Sequence, residues 1–158
     1  MTALQGVLAE RDKWSAVGQC AIEKTMSLVG TKSAMLLMRE AYYGTTRFDD
    51  FAKRVGITKA ATSARLAELV EAGLLTKQPY REPGQRSRDE YVLTQAGTDF
   101  MPVVWAMFEW GRQHLGDTGL RLTHLGCGAD ATVEIRCTDG HEVPPDELGM
   151  KVARRRGR

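Results

Sequence analysis

Long apolar runs are missing from this 158-residue chain. The longest, Ala34–Met38 and Val103–Phe108, fall far short of the ~20 residues that a bilayer-crossing helix needs, so no membrane span is expected. The first twenty residues carry Glu10, Arg11, Asp12 and Lys13 where a signal peptide would be apolar, which argues against secretion. Cysteine is scarce and odd in number, three in all, so no disulfide framework is expected and a reducing cytosol is the natural compartment. Proline is rare (5) and glycine moderate (16), against 42% hydrophobic residues, which excludes collagen-like and disordered chains. No repeat or low-complexity tract appears. No histidine lies between Cys20 and Asp89, so a thiol enzyme built on Cys20 lacks its base, and no enzyme is expected.

What is present is an uneven charge. The net value of +2 hides nine basic against five acidic residues over 47–88, three against nine over 98–150, and five basic residues in Lys151–Arg158. Two basic blocks around an acidic one suit an anionic partner that docks on part of the surface.

Residues 20–44 read as two helices split at Gly30-Thr31. In the second, Ala34, Leu37, Met38 and Ala41 form a core-facing stripe, closed by Gly44. A helix over Asp49–Val55, capped by Asp49 or Asp50, turns Phe48, Phe51, Ala52 and Val55 inward. Gly56-Ile57 makes a tight turn, and Thr58 caps a helix from Lys59 to Ala72 that ends at Gly73. This is the helix-turn-helix layout. Leu74–Tyr80 and Glu90–Leu93 then read as strands around a polar loop, a wing.

Thr94–Leu115 is mostly helical, with a kink expected at Pro102. Phe100, Val104, Trp105, Met107, Phe108 and Trp110 make it apolar on most sides, so it needs more cover than its own small domain supplies; a homodimer seam is the reading. The fold expected is therefore mainly α with a small β-hairpin wing: a winged helix-turn-helix over 20–116 with a long dimerisation helix. An N-terminal dimerisation arm (1–19), a small β-like module (117–150) with a turn at Thr138-Asp139-Gly140, and a disordered basic tail (151–158) complete it.

The chain resembles the HxlR-type winged helix-turn-helix regulators from Cys20 to about Gly111. The features that carry the likeness come in order: Cys20; Leu28-Val29-Gly30-Thr31-Lys32; Arg47-Phe48-Asp49-Asp50-Phe51; Gly56-Ile57-Thr58; Arg65 to Leu69; Ala72 to Leu75; Tyr91 to Gly97; and Glu109-Trp110-Gly111. Ser33 stands where the family usually has Trp, Ala60 where it commonly has Lys, and Thr62 where it has Leu. The resemblance implies a homodimeric, sequence-specific regulator, a repressor, binding a palindromic site on double-stranded DNA. It also implies that Cys20, ahead of a helix, senses oxidants or electrophiles. The alternatives are a winged-helix protein-interaction module and a MarR- or PadR-like regulator that answers to a ligand without thiol sensing.

For DNA contact, 100° per residue turns Ala60, Ser63, Ala64 and Ala67 outward when Leu66 and Leu69 face the core. Ser63 and Thr62 then offer hydrogen bonds to bases. Lys59 and Arg65 suit phosphates, although Arg65 has an alternative partner in Glu68. Thr58 sits at the helix start and Arg47 is a backbone contact. Gln85, Arg86, Ser87 and Arg88 crowd a wing tip suited to the minor groove. Sparse base readout is expected. No cofactor is required, but His124-x-x-Cys127 and Cys137-x-x-x-His141 offer four zinc-type ligands in a module with little core.

Overall fold

The computed structural model describes residues 1–81, 84 and 87–152. In chain order its elements are β1 (Ala3–Leu4), α1 (Ala21–Val29), α2 (Lys32–Tyr42), α3 (Phe48–Val55), α4 (Lys59–Glu71), β2 (Leu75–Tyr80), β3 (Arg88–Leu93), α5 (Gln95–Asp99), α6 (Met101–His114) and β4 (Gly149–Met150), with two short 3-10 turns at Gly6–Ala9 and Arg11–Lys13. Two compact units result: Ala21–Leu120, and Met1–Cys20 together with the chain from Arg121 onward.

The larger unit is the expected winged helix-turn-helix. Threonine hydroxyls start three of its helices: Thr31 Oγ1 accepts from Ala34 N (3.1 Å), Thr58 Oγ1 from Ala61 N (3.2 Å) and Thr94 Oγ1 from Gly97 N (3.0 Å). Gly56 ends α3 at φ 72°, a left-handed conformation that turns the chain toward α4 within three residues. β2 and β3 pair antiparallel from Leu75 opposite Leu93 to Tyr80 opposite Arg88.

The core gathers one stripe from each element. Val29, Leu37, Met38, Phe51, Leu66, Leu69, Leu75 and Tyr91 are buried together, with the Phe51 and Tyr91 rings edge to face at 6.2 Å. Each large apolar side chain buried there contributes about 1.5–3 kcal/mol. Tyr42 ties α2 to α5 through a hydrogen bond from its hydroxyl to the Gly97 carbonyl (2.7 Å), and burial pushes its phenol up to about 12.

Three local readings change. Helix α3 starts one residue early, at Phe48, so neither Asp49 nor Asp50 is its cap; Arg47 takes that position with no side-chain cap bond. The cause is β3, which holds the preceding residues: Tyr91 N donates to Thr46 O (2.8 Å) and Arg47 bridges to Glu90. The long apolar helix is two helices, broken at Phe100 just before Pro102. Pro102 takes the first turn of α6, where a missing N–H costs nothing. Finally, α6 divides its apolar surface: Val104 is buried, and Trp105 packs on the rings of Tyr42 (5.9 Å), Tyr43 (5.8 Å) and Phe108 (6.3 Å).

In the smaller unit β1 pairs parallel with β4, Ala3 opposite Gly149 and Leu4 opposite Met150. Residues 1–19, read from the sequence as an arm, thus share a unit with the C-terminal module. Its middle holds two tight loops, bridged between Thr123 and Asp130 and between Arg136 and Glu142. Among the described residues no helix is long and apolar enough to cross a membrane.

Candidate nucleic-acid interface

Helix α4 presents a surface of small side chains. Ala60, Ser63, Ala64 and Ala67 are exposed, while Leu66 and Leu69 are fully buried beneath them. Its shape suits close approach to a groove floor, and the Ser63 hydroxyl is its one side-chain hydrogen-bonding group.

Thr62 does not belong to it. It is fully buried, and its hydroxyl donates to the Thr58 carbonyl one turn back (3.0 Å). The position faces α4's own core stripe, four residues before Leu66, so Thr62 cannot reach a base. A signal was available in the sequence: the resembling family commonly has Leu there, a core residue.

The flanking cations are engaged with acids. Lys59 Nζ lies 2.7 Å from Asp49 Oδ1, which joins the start of α4 to the first turn of α3. The hydrogen bond from Lys59, and then its charge, hold the Asp49 carboxyl below its ordinary value of 3.8. Arg65 pairs with Glu68 at 2.5 Å along α4, the alternative raised from the sequence. Solvent screens surface pairs of this kind, with Lys59 and Asp49 both exposed and Arg65 half-buried, so either cation exchanges its partner for a phosphate at little cost. Thr58 is exposed, but its hydroxyl is occupied as the helix cap.

The wing stands beside α3. Arg47 stacks over the Tyr80 ring, 4.4 Å from its centroid, and Tyr80 faces Arg88 across the hairpin. These residues line an open cleft of about 600 Å³ with Phe48, Asp49, Asp50 and Asp89. Thus the structure brings Arg47, Lys59 and Arg88 toward one end of the unit, with three aspartates among them. The sequence pointed to the cations and to Asp49 only as a helix cap; the pairing of Asp49 with Lys59 and the place of Asp89 in the cleft were not read from it. Ser87 and Arg88 are exposed; Gln85 and Arg86 lie outside the described residues.

The exposed apolar side chains Val103, Met107 and Trp110 of α6 line a second groove with Leu115, which follows the helix, and with Ala106 and Gly111 between them. Of the residues assigned to the seam, Met107 and Trp110 lie on it. Val104, Trp105 and Phe108 instead pack within the chain, and Phe100 lies against its core. Cys20 is a half-buried free thiol immediately before α1, its N–H bonded to Ala16 O (2.9 Å). His124, Cys127, Cys137 and His141 are all exposed, and among the described residues no three potential ligands converge on one point.

The model of the HxlR-like helix-turn-helix family matches residues 28–118. An uncharacterized HTH-type transcriptional regulator of Mycobacterium tuberculosis is 34% identical over 127 residues, which covers 78% of this chain and 79% of that protein. Among solved structures, PA1607, described as a candidate transcription factor, superposes with a TM-score of 0.74 at 28% identity, over 88% of this chain and 97% of its own. The redox regulator HypR in its reduced form gives a TM-score of 0.54 at 27% identity, over 61% of this chain and 96% of its own. With the motifs of the sequence, the winged fold and these likenesses in agreement, the chain belongs to the HxlR-like helix-turn-helix family of transcriptional regulators.

Proposed function

We propose that the protein is a homodimeric repressor that places α4 in the major groove of a palindromic operator and its wing in the adjacent minor groove. The observation that carries this reading is the exposed small-residue face of α4 with Arg47, Lys59 and Arg88 at its edge. A face of that shape enters a groove, and cations at its rim position it on phosphates without specifying sequence. Base preference then rests on Ser63, on methyl contacts from the alanines, and on the shape of the DNA under the wing.

The homodimer draws on two apolar surfaces that the chain leaves exposed. One is the α6 groove around Met107 and Trp110; the other is on α1, where Ile22, Met26 and Leu28 are 72%, 56% and 49% exposed. A second copy covers such surface in the self-complementary manner of a two-fold dimer. Cys20 immediately precedes α1, the helix that carries the second surface. Oxidation or alkylation there alters how the subunits meet and hence the spacing of the two α4 helices, a change that a palindrome of fixed repeat reads as mismatch. The redox character of HypR supports this part of the reading.

Selection of bound fragments from genomic DNA tests the whole. The expected product is a palindrome whose half-sites lie about one or two helical turns apart. Binding without preference among duplexes, or preference for an acidic protein over any duplex, overturns it. Diamide is expected to release the operator from the reduced protein and from Cys127→Ser and Cys137→Ser, but not from Cys20→Ser. Equal release from Cys20→Ser removes thiol sensing at that residue.

A further inference from the structure

Arg47 stands just before α3, and its backbone is fixed on both sides. Its carbonyl accepts the hydrogen bond from Phe51 N (3.0 Å) that opens the helix, and the residue bridges to Glu90 of β3. The register then decides which side chains meet. Arg47 lies opposite Glu90, and Glu90 opposite Gln78; two residues nearer the wing tip, Arg88 lies opposite Tyr80. Residues opposite one another share a face of a sheet, and so do residues two apart along a strand. Arg47, Arg88 and Tyr80 therefore occupy one face of the wing, while Leu75 and Tyr91 on the other face enter the core.

Across that face the Arg47 guanidinium sits 4.4 Å from the centroid of the Tyr80 ring. This is well inside the ~6 Å reach of cation–π attraction. Arg47 is exposed; Tyr80, the last residue of β2 before the wing tip, is half-buried. A ring grips a guanidinium by its flat face, so the grip does not compete for the N–H groups along the edge, which are the ones a phosphate oxygen takes. Lys59 is held in the opposite way. Its ammonium is paired with Asp49 Oδ1 at 2.7 Å, through the same donors that a phosphate needs. An arginine that is already oriented also loses less rotamer freedom when it binds than one that must be ordered on contact.

We propose, on the reading of α4 and the wing as a DNA interface, that Tyr80 is a positioning residue whose ring presets the Arg47 guanidinium to meet a backbone phosphate beside the wing. Tyr80 acts through Arg47 and carries no base preference of its own, because a phosphate contact fixes orientation and register without reading sequence. The stack also ties the end of β2 to the start of α3, with Arg88 facing Tyr80 across the hairpin.

Two measurements on the full-length protein test this role. Without DNA, NMR of the arginine side chains should find the Arg47 Nε–H proton moved upfield by the ring, and back at its ordinary position in Tyr80→Leu. With a duplex carrying the selected operator, Tyr80→Leu should lose about fivefold in affinity and flatten the log–log salt slope by up to roughly 0.9, the amount for one phosphate. Tyr80→Phe keeps the ring and should restore both. In an Arg47→Ala background Tyr80→Leu should weaken binding no further, whereas damage to the wing would add to the loss. An Arg47 resonance at its ordinary position in the wild type overturns the proposal however the variants fold. So does a salt slope shared by the wild type and Tyr80→Leu, or a double variant that binds more weakly than Arg47→Ala alone. A wild-type protein whose duplex binding ignores salt overturns the DNA reading itself, and the role of Tyr80 with it.

Discussion

Thr62 and Ser63 are neighbours on α4 with opposite fates, and the difference is one of angle. A rotation of 100° carries the chain from the buried stripe of Leu66 and Leu69 to the exposed face. Ser63→Ala is therefore expected to relax base preference in a binding selection while leaving the salt dependence of affinity unchanged. Thr62→Val exchanges a hydroxyl bonded within the helix for a methyl group of the same shape. Denaturant unfolding should detect a shift of about 1 kcal/mol or less, with base preference untouched. Loss of base preference in Thr62→Val would return that residue to the interface.

Asp49 carries a second residue-level expectation. Lys59 holds its carboxyl below 3.8. A depressed carboxyl contributes its pairing above that ordinary value and loses it as the pH falls through the lowered one. Carboxyl NMR should find the Asp49 midpoint below 3.8 and, in Lys59→Met, closer to it. In DNA binding the same acid opposes the partner. Asp49→Asn frees Lys59 for phosphate and removes a negative charge from the cleft, so duplex affinity should rise and its dependence on salt steepen. Unchanged affinity would place this cleft away from the DNA.

At the level of elements, much of the fold is legible because its boundaries are written in local chemistry. Thr58 starts a helix where a cap is expected, Thr31 starts one at the split read between the first two helices, and Gly56 and Gly73 follow the helices they end. The misses share a cause, which is contact from far along the chain. α3 begins at Phe48 because β3, some forty residues on, holds Thr46. Helix α6 packs Trp105 on Tyr42 and Tyr43 at the end of α2, a use of its apolar surface that periodicity cannot see. The pairing of Ala3-Leu4 with Gly149-Met150 joins opposite ends of the chain and has no local signal at all. Gly97 is the sharpest case of packing between elements. A Cβ on it would stand 2.1 Å from the Leu74 carbonyl oxygen, a backbone atom that cannot give way. Gly97→Ala should cost about 1–3 kcal/mol or more by forcing α5 off the head of the wing. That loss corresponds to several degrees of melting temperature, measurable by thermal unfolding. An unshifted melt would mean that α5 is free to move.

On the scale of the molecule, the site was legible as a pattern of shape and charge and less so as a set of contacts. The exposed alanine face of α4 follows from the sequence alone, whereas the pairing of Lys59 with Asp49 and the other aspartates of the cleft needed three dimensions to appear. The proposed dimer draws on exposed apolar surface: Met107 and Trp110 on α6, Ile22 and Met26 on α1. Sedimentation at micromolar concentration should give about 35 kDa, twice the 17.5 kDa chain. Met107→Glu with Trp110→Glu should shift the protein toward 17.5 kDa without unfolding it, since neither side chain belongs to the core. A wild-type monomer that holds its operator at full strength would remove the two-fold model.

Whether the protein reads sequence through α4 and its wing is decided by the affinity of the selected operator, followed against a scrambled duplex of the same length across a series of salt concentrations. A preference for the operator of about 10³-fold or more is expected at physiological salt. The log–log salt slope should flatten by roughly 0.9 for each phosphate the protein no longer neutralises, measured with the Arg88→Ala wing variant. Equal affinity for both duplexes, or a slope indifferent to Arg88, would contradict such readout.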